Sequence, residues 1–412
     1  MNVVFVVNDV HLSGGIGTIV EHARRLRRDH AIDAVLAVGR EEVERWEYES
    51  LAEVPVLPFH EAAERRFDVA VASWWETTLP LFSLEAKRYA YFVQSMEDRF
   101  YPPALGPERL SAALTYALPV AFITEASWIA ETLRQLRPEA RRFLVRNGVD
   151  KDVFRLPEEL DVRDRGALRI LVEGRPSVWF KGIAETLEAV SLMREERHVT
   201  LVTPERAGYP PDAADSVVGP LSHREMAALY AETDVVLKLS RVEGMFGPPL
   251  EGFHRGATCV VTPVTGHEEY VEHGWNGLVV DWDDLRGTAR ALDLLARDRR
   301  LLHFLRTNAL ETARTWPSWA QSSQLMALAL RRIETLPPSF GSEAGGRLTR
   351  DLRVGMELYR LELQERDELA IALSALGGPQ RLIDWARRNR HRRGVRLLLW
   401  LGRPLIRRVY GR

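Results

Sequence analysis

The chain contains a single cysteine among its 412 residues, Cys259, so no disulfide can form within it. Its apolar neighbours in ATCVVT predict a small buried strand residue, and the missing disulfides favour a reducing compartment. No stretch approaches the roughly 18 apolar residues that a bilayer-spanning helix needs. The apolar start, MNVVFVVNDV, lacks a basic segment and predicts a buried strand, not a signal peptide. We therefore expect a cytoplasmic protein, either free or peripheral on the inner face of the membrane.

A large net charge is also missing. Lysine and arginine number 56 and aspartate and glutamate 58, which leaves −2 at pH 7. This balance lacks the basic surplus of nucleic-acid-binding proteins, so we expect no nucleic-acid partner. A hydrophobic fraction of 46% with 28% charged residues is typical of a globular protein, and 412 residues are too many for one ordinary core. The composition thus predicts two domains.

Short apolar runs alternate with helical patterns through most of the chain. VVFVVN, FDVAVAS and VAFIT form a first series, and LRILVEG, TDVVLKLS and TCVVTP form a second. Apolar strands followed by helices are typical of a parallel sheet covered on both faces. The predicted fold is α/β, with doubly wound domains at 1–160 and 161–334 and a linker with a basic amphipathic helical extension at 335–412. In such sheets, ligands bind beyond the carboxyl ends of the strands.

Two loops after predicted strands carry groups that suit a phosphate. In NDVHLSGGIGTIVEHA, Gly14 and Gly15 precede a helix, so the backbone can approach a ligand at the helix N-terminus. Their spacing is not that of the GxGxxG dinucleotide fingerprint, and a flexible turn is the alternative. In LVEGRPSVWFKG, Arg175 and Lys181 follow a strand, where two cations can clamp a diphosphate. Solvated surface charges are the alternative for this pair.

A third loop, SRVEGMFGPPLEG, carries two carboxylates, Glu243 and Glu251, around a turn that a continuous helix cannot contain. Pro248 and Pro249 suit the first turn of a helix, where a missing N–H costs little. Glu251 then lies near the positive end of that helix, and Glu243 lies in the loop before it. Both carboxylates can border one pocket and accept hydrogen bonds from vicinal hydroxyls of a sugar or ribose. The alternative leaves Glu243 solvated and gives Glu251 only the helix dipole.

Glu243 through Glu251 match a Glu-x7-Glu signature, and the chain thereby resembles the retaining GT-B glycosyltransferases of family 4. The resemblance covers nearly all of the two predicted domains. Its other matching segments are the Gly14-Gly15 loop, VRNGVDKDVF, the pair Arg175 and Lys181, and TPVTGHEEYVEHGWNGLVV with Glu269. It implies the GT-B fold, in which two Rossmann-like domains face a cleft. The first domain would bind the acceptor and the second the nucleotide sugar.

The resemblance also implies roles for single residues. Glu243 would bind hydroxyls of the transferred sugar, and Glu251 would bind the ribose of the nucleotide. Arg175 and Lys181 would neutralise the leaving diphosphate, so that catalysis is mainly electrostatic and needs neither cofactor nor metal ion. Further donor contacts would come from Gly14, Gly15, Phe246, Gly247 and Glu269. DWDD at 281–284 mimics a metal-binding DxD, but its place between a strand and a helix predicts a helix cap.

One departure from the family pattern lies in YAYFVQSMEDRFYPP. Gln94 stands where these enzymes often carry a histidine near the reacting sugar. The run looks similar to surface-polysaccharide rhamnosyltransferases, which implies a deoxysugar donor such as rhamnose. Glu97 or Asp98 would then orient the acceptor hydroxyl, a structural turn being the alternative. In SWWETTLP, Trp74 and Trp75 would present aromatic faces to a sugar or lipid acceptor, or else pack within the domain surface.

The tail RRNRHRRGVRLLLWLGRPLIRRVYGR interleaves basic and apolar residues and predicts a segment that meets anionic lipid. Docking on the protein's own surface and nonspecific RNA attraction are the alternatives. We expect a retaining hexosyltransferase that moves a sugar from a nucleoside-diphosphate donor to a glycan, lipid-linked or small-molecule acceptor in surface-polysaccharide or glycoconjugate biosynthesis. A GT-B-like nucleotide-sugar epimerase and a catalytically silent sugar-binding partner are the rival hypotheses.

Overall fold

The computed structural model describes residues 1–11, 13–39, 49–102, 104–162, 166–205, 208–210, 212–337 and 342–374. The chain separates into two compact units, 1–349 and 350–412. Both predicted sheets lie in the first unit, and each is parallel throughout. The two-domain α/β architecture predicted from the alternating apolar runs is therefore confirmed.

Seven strands form the first sheet: β1 (Asn2–Val7), β2 (Asp33–Val38), β3 (Val56–Pro58), β4 (Arg66–Ala72), β5 (Glu85–Val93), β6 (Ala121–Thr124) and β7 (Arg142–Leu144). Their order is β3-β2-β1-β4-β5-β6-β7. The helices described in this domain are α1 (Gly14–His30), α2 (Phe59–Ala63), α3 (Thr78–Leu81), α4 (Gly106–Thr115) and α5 (Ser127–Leu136). Short 3₁₀ helices occupy Glu49–Glu53, Trp75–Thr77 and Glu97–Phe100. The order reverses beside β1, where ligands of such sheets bind.

The pleat of the strands explains why their sequences are apolar throughout. Successive strand residues point to opposite faces of a sheet. In β1, Val3 and Phe5 belong to one buried core, whereas Val4 and Val6 belong to another on the opposite face. Both faces are covered by helices, so neither set of positions can be polar.

Six strands form the second sheet: β8 (Leu168–Glu173), β9 (Arg197–Val202), β10 (Ser216–Val218), β11 (Val235–Lys238), β12 (Thr258–Val261) and β13 (Gly277–Val279). Their order is β10-β9-β8-β11-β12-β13. The helices described here are α6 (Ile183–Ser191), α7 (His223–Glu232), α8 (Gly247–His254), α9 (Leu285–Arg297) and α10 (Arg299–Thr315), with 3₁₀ helices at Trp179–Lys181 and His267–Glu269. Cys259 is buried in β12, as predicted.

The structure corrects the predicted domain boundary at residue 334. The chain crosses back after α10, where the Val149 amide donates to the Pro317 carbonyl. Helix α11 (Trp319–Glu334) then packs on the first sheet, and its apolar side chains, among them Met326 and Leu330, join the core that contains Phe5. An amphipathic helix gains its stability from the sheet that covers its apolar face, and here that sheet is the first one. Residues 319–334 therefore belong structurally to the first domain.

Helix α12 (Ser342–Ser374) begins inside the stretch PPSFGSEAGGR that was predicted to be a linker, and it continues into the second unit. The helical part of the predicted C-terminal extension is confirmed over this range. The basic tail beyond Arg381 lies outside the described residues. Within the described residues, no helix is long and apolar enough to cross a membrane.

Candidate active site

Lys181 and Glu243 meet beyond the carboxyl ends of the second sheet. Lys181 ends a 3₁₀ helix that follows β8, and Glu243 lies in the loop between β11 and α8. The Lys181 ammonium donates to both carboxylate oxygens of Glu243, with Nζ 2.9 Å from Oε1 and 3.1 Å from Oε2. The Lys181 side chain is 27% exposed, so this ion pair can be reached from solvent. The structure thus brings together two of the residues singled out from the sequence.

Gly182 makes this contact sterically possible. Its φ of 63° lies in the left-handed region, and a Cβ here would lie 2.2 Å from the Leu239 carbonyl oxygen. Only glycine tolerates both conditions. The turn into α6 therefore passes directly over the end of β11 and sets Lys181 above it.

A second lysine, Lys238, extends the ion pair into the protein and was not identified from the sequence. It is the last residue of β11, and its side chain is 2% exposed. Its ammonium lies 2.9 Å from Glu173 Oε2 and 3.8 Å from Glu243 Oε1. Four charges therefore alternate in sign in the order Lys181, Glu243, Lys238, Glu173. We call these four residues the charge chain.

Glu173 and Lys238, the last two members of the charge chain, carry shifted pKa values. Burial alone raises the pKa of Glu173, but the charges of Lys238 and Lys181 outweigh it and hold that pKa below its ordinary value. Burial likewise lowers the pKa of Lys238, and the charges of Glu173 and Glu243 reverse the effect and raise it. Both groups are therefore ionised at neutral pH. The sequence carried one sign of this ion pair: Lys238 and Glu173 each interrupt an apolar run, VVLKLS and LRILVEG. A charge that is buried in such a run requires a partner of opposite charge.

Glu251 lies in α8, whose first turn contains Pro248 and Pro249 as predicted. Burial, with the charge of Glu173, raises the pKa of the Glu251 carboxyl to about 7. The nearby Tyr230 hydroxyl and the charge of Lys238 act in the opposite direction. Near neutral pH the carboxyl therefore exists in both protonation states. Because Glu251 interacts with Glu173 and Lys238, it lies at the same strand ends as the charge chain.

Arg175, the other predicted cation, is exposed and makes no hydrogen bond or ion pair through its side chain to any residue that the structure describes. Its loop is held in place two residues later. The Ser177 amide donates to Glu205 Oε2 at 3.0 Å, and the Ser177 hydroxyl is also paired with that carboxylate. The charge of Arg175 also lowers the pKa of Glu205, the acid that anchors this loop. An exposed guanidinium in an anchored loop is suited to bind an anion.

The glycine loop of the first domain faces Gln94. Gly14 and Gly15 open α1, whose N-cap is Ser13, with its hydroxyl accepting the Ile16 amide at 3.2 Å. A Cβ on Gly15 would lie 3.4 Å from the Gln94 side-chain amide, whereas one on Gly14 would meet no atom within 4 Å. The structure therefore places Gln94 against the predicted phosphate loop and leaves open space at Gly14.

The loop that carries Glu243 lies directly against the first domain. A Cβ on Gly244 would lie 1.8 Å from the Gln94 carbonyl oxygen, so no other residue fits here without moving the backbone. The Ser95 hydroxyl donates to the Glu243 carbonyl at 3.2 Å. Gln94 thus contacts both the first-domain glycine loop and the second-domain acidic loop.

Two further side chains of the first domain bind the same loop, and neither was identified from the sequence. Glu125 Oε1 accepts the Met245 amide at 2.8 Å, while its Oε2 accepts the Asn147 side-chain amide at 2.7 Å. The Trp128 indole donates to the Gly244 carbonyl at 3.0 Å. Burial raises the pKa of the Glu125 carboxyl to about 8. The only sequence signal for Glu125 was its place directly after the buried strand VAFIT.

Glu269, predicted as a donor contact, binds the first domain through both of its carboxylate oxygens. Its carboxylate caps the N-terminus of α5 in the first domain, where Oε1 accepts the Ser127 amide at 2.6 Å and the Trp128 amide at 3.2 Å. Its other oxygen, Oε2, accepts Arg146 Nε at 3.1 Å. The residue before α5, Ala126, has no side chain that could cap the helix. Both oxygens are therefore engaged by the opposite domain, and Glu269 joins the two domains.

Glu97 and Trp75 also take structural positions. Glu97 has no exposed surface and accepts the Trp75 amide at 2.5 Å through Oε2. The Trp75 ring is buried, with its indole donating to the Tyr101 hydroxyl at 2.8 Å. Burial raises the pKa of Glu97 well above its ordinary value. Neither side chain is exposed to an acceptor here, so the structural alternative holds for both residues.

Trp74 and Asp98, the remaining acceptor candidates, are both partly exposed. Trp74 stacks on Phe100 with ring centroids 5.7 Å apart. The Phe100 ring in turn packs against the ring of Phe180 in the second domain, with centroids 5.0 Å apart. Phe180 directly precedes Lys181 in the chain. These aromatic contacts connect the first domain with the neighbour of Lys181 in the charge chain. Trp74 therefore remains the aromatic candidate for contact with an acceptor.

Phe246 and Gly247 enter the site through their backbone alone. The Phe246 ring is buried, and its carbonyl accepts the Tyr270 hydroxyl. Gly247 begins α8 and is partly exposed, while Pro248 and Pro249 offer no N–H. A ligand at this helix end would therefore meet the Gly247 amide first.

The DWDD segment is a helix cap, as predicted. Asp284 Oδ1 accepts the Gly287 amide at 2.7 Å at the start of α9, and Asp283 is paired with Arg241. In the described part of the chain, no group of three or more His, Cys, Asp or Glu side chains is arranged to hold a metal ion.

Residues 167–298 match the family model described as Glycosyl transferases group 1. This range contains the charge chain, Arg175 and Glu251, and it corresponds to the second domain. No curated protein sequence matches the chain significantly. The family match therefore rests on the second domain.

Solved structures resemble the chain over most of its length at low identity. HepE from Anabaena, crystallised with UDP and glucose, is 15% identical with a TM-score of 0.64, over 81% of this chain and 100% of HepE. Sucrose-phosphate synthase from Thermosynechococcus elongatus is 15% identical with a TM-score of 0.64, over 80% and 98%. WaaG, a glycosyltransferase involved in lipopolysaccharide biosynthesis, is 14% identical with a TM-score of 0.61, over 81% and 100%. These likenesses confirm the predicted GT-B fold.

Proposed function

We propose that the protein is a retaining glycosyltransferase that moves a sugar from a nucleoside-diphosphate donor to a glycan or lipid-linked acceptor. One observation carries this proposal. The segment that matches the group 1 glycosyltransferases, 167–298, is the segment in which Lys181 pairs with Glu243 beside Glu251, with Arg175 unpaired nearby in sequence. Family match and site geometry therefore point to the same residues.

The charge chain supports an electrostatic mechanism. As the bond between sugar and phosphate breaks, negative charge grows on the diphosphate and the sugar becomes oxocarbenium-like. Arg175 and Lys181 would receive the diphosphate, because one is unpaired and the other is accessible in its ion pair. Glu243 would then accept hydrogen bonds from sugar hydroxyls, and Glu251 from the ribose. No metal ion is required for this division of charge.

The acceptor would enter from the first domain. Gln94 lies beside the glycine loop at Gly15 and the acidic loop at Gly244, and its side-chain amide would contact the donor or acceptor sugar there. An amide can donate and accept hydrogen bonds but cannot take a proton as a base. Asp98 and Trp74, both partly exposed, are the remaining acceptor contacts. Closure of the cleft would exclude water that could hydrolyse the donor.

The proposal is tested first by binding. A thermal-shift screen with UDP-, GDP-, ADP- and dTDP-sugars should raise the melting temperature for one base, since a ligand that binds only the native state stabilises it. Inclusion of dTDP- and GDP-deoxysugars tests the rhamnose-type donor that the YFVQSMEDRFYPP run implies. Absence of a shift with every nucleotide would contradict the proposal.

Reaction products separate the rival functions. Release of nucleoside diphosphate only when an acceptor is present supports a transferase, and an NMR spectrum of the product shows whether the anomeric configuration is retained. Donor isomerisation without acceptor would instead support an epimerase. Donor binding with no turnover under any acceptor would support a silent sugar-binding partner.

Arg175→Ala gives a specific test of the diphosphate clamp. The variant should lower kcat more than it weakens donor binding, because the guanidinium meets charge that develops in the transition state. Arg169→Ala is a matched control, since Arg169 lies on β8 but donates to the Glu232 carbonyl. Equal kcat values in both variants and the wild type would contradict the assignment.

Location at an anionic membrane surface is a further part of the proposal, and it rests on the tail sequence. Removal of the residues after Ala386 should release the protein from phosphatidylglycerol vesicles in a sedimentation assay and leave activity on a soluble acceptor unchanged. Vesicle binding that persists in the truncated protein would contradict it.

A further inference from the structure

Lys238 raises a question that the proposed reaction leaves open. Valine and leucine fill the other positions of β11, and an ammonium at its end, 2% exposed, is costly to bury without carboxylate partners. It has two such partners, at 2.9 Å in Glu173 and 3.8 Å in Glu243. A purely structural lysine needs only one of them.

Lys181 is accessible to a ligand and Lys238 is not, so only Lys181 can leave Glu243 during turnover. Lys181, 27% exposed, can turn from Glu243 to an incoming diphosphate, as the proposed function requires. Glu243 would then lose its nearer cation at the moment when it must remain charged to accept sugar hydroxyls. Lys238 has no route to the ligand, because it is enclosed by the sheet and also donates to the Glu173 carbonyl at 3.3 Å.

We propose that Lys238 is a positioning residue that keeps the Glu243 carboxylate charged and directed at the donor sugar when Lys181 engages the diphosphate. Glu173 anchors Lys238 from the neighbouring strand β8 and neutralises its charge in the donor-free protein. The inference rests on the proposed function for its catalytic meaning, but the electrostatic contact between Lys238 and Glu243 can be tested without a donor.

Several other groups face this contact. Glu243 is approached by Lys181 after β8, by Lys238 on β11 and by the buried Glu125 at the end of β6 in the first domain. Tyr270, which follows the 3₁₀ helix His267–Glu269, also interacts with it. On the Lys238 side, the facing acids are Glu173 and Glu251. Among these groups, only the two lysines stabilise a negative charge on Glu243.

The first experiment follows the Glu243 carboxyl directly by NMR, in protein labelled with ¹³C at the glutamate carboxyl carbon. The Glu243 signal is assigned by its loss in Glu243→Gln. Lys181→Met alone is the reference variant, because Lys238 remains beside Glu243 in it. Lys181→Met with Lys238→Met should move its titration midpoint upward by about one pH unit or more relative to Lys181→Met alone. An unchanged midpoint would overturn the proposal whether or not the protein is a transferase.

A second variant guards against misfolding. Lys238→Met alone leaves Glu173 without its ion-pair partner, whereas Lys238→Met with Glu173→Gln removes both charges and keeps the volume. The neutral double variant should fold. When Lys181→Met is added to it, the Glu243 titration midpoint should again lie above that of Lys181→Met alone. Lys151→Met serves as the matched control, because Lys151 is a partly buried lysine that donates to the Ala313 and Arg314 carbonyls. It should leave the Glu243 titration unchanged.

The second experiment measures turnover with the donor found in the binding screen. The neutral double variant should lower kcat about tenfold or more, and this loss relative to the wild type should be larger at pH 6 than at pH 8. A loss of the same size at every pH would show a merely structural role and overturn the proposal. If the wild type itself shows no turnover, the proposed function fails, and the NMR result still decides the role of Lys238.

Discussion

The carboxylate of Glu269, on the second domain, accepts the backbone amide of Ser127 at the start of a first-domain helix, 2.6 Å away. The two residues are 142 positions apart in the chain. A helix N-terminus presents unsatisfied N–H groups and a partial positive charge, and an acidic side chain stabilises both. Here the stabilising side chain comes from the other domain, so the cap of α5 forms only when the two domains are together.

Glu269→Ala should lower the free energy of unfolding by about 1–3 kcal/mol, since α5 loses its cap and Arg146 loses its partner. Urea unfolding followed by circular dichroism measures the change. Glu268→Ala, at the exposed neighbouring position, is the control and should change stability by less than about 0.5 kcal/mol. Nucleotide affinity should stay close to that of the wild type, in contrast to the donor role that the sequence implied. Equal stability of the two variants would contradict the capping role.

Lys181→Met should reduce kcat by about 10²–10³-fold, because a positioned cation that meets developing phosphate charge is typically worth about 3–4 kcal/mol in the transition state. Binding of the free nucleoside should change little. Steady-state kinetics with the donor from the screen check this, with Lys151→Met as a charge-matched control that should retain full activity. A Lys181 variant with kcat within threefold of the wild type would rule out this role.

Glu251→Ala should weaken nucleoside-diphosphate binding by about 10–100-fold, the cost of one charge-assisted hydrogen bond to a ribose hydroxyl. The pKa of Glu251 is about 7, so the ionised acceptor becomes dominant above that pH. Affinity of the wild type should therefore rise between pH 6 and pH 8, and this rise should vanish in Glu251→Gln. Isothermal titration calorimetry measures both effects. Glu188→Ala, an exposed acid on α6, provides the control, and a pH-independent wild type would speak against the assignment.

The raised pKa of Glu125 should make the stability of the protein depend on pH. Its pKa rises from 4.5 to about 8 on folding, so the folded state holds a proton that the unfolded state loses in that interval. The unfolded state therefore binds fewer protons, and stability should fall by a few kcal/mol as pH rises from about 4.5 to 8. Glu125→Gln removes the proton but can still accept the Met245 amide through Oε1. Asn147 Oδ1, which has no partner, can accept from the new amide after its side chain turns over.

Urea unfolding of the wild type and Glu125→Gln at pH 5, 6, 7 and 8 checks this. The difference in unfolding free energy between the two proteins should move in favour of Glu125→Gln as the pH rises. Glu188→Gln should show a constant difference from the wild type across the same range. A constant difference for Glu125→Gln as well would show that Glu125 titrates alike in both states.

The acidic loop shows why part of the site could be predicted. Glu243 and Glu251 are separated by a turn of Gly and Pro residues whose backbone requirements are local, so their convergence follows from a few neighbouring residues. Lys181 could be placed for the same reason, as it follows a strand and precedes Gly182 at a helix start. These positions depend on the alternation of strands and helices, which an apolar pattern reveals.

Glu173 and Lys238 show where this approach stops. They lie 65 residues apart and pair because β8 and β11 are neighbours in the sheet. Glu125 and Glu269 each reach across to the other domain, and no pattern within their own segments indicates that. Glu97 shows the complementary limit: its loop follows a strand end, but its buried carboxylate accepts the Trp75 amide, a contact that no local pattern indicates.

The sequence alone determined the two doubly wound sheets, the glycine and proline turns and the candidate carboxylates, because apolar period and backbone permissiveness act over a few residues. Only the tertiary structure decided which charges neutralise one another, which helix caps come from the opposite domain and to which sheet α11 belongs. Strand order and domain contact create these relationships, and the energy of a buried charge depends on partners that are remote in the chain.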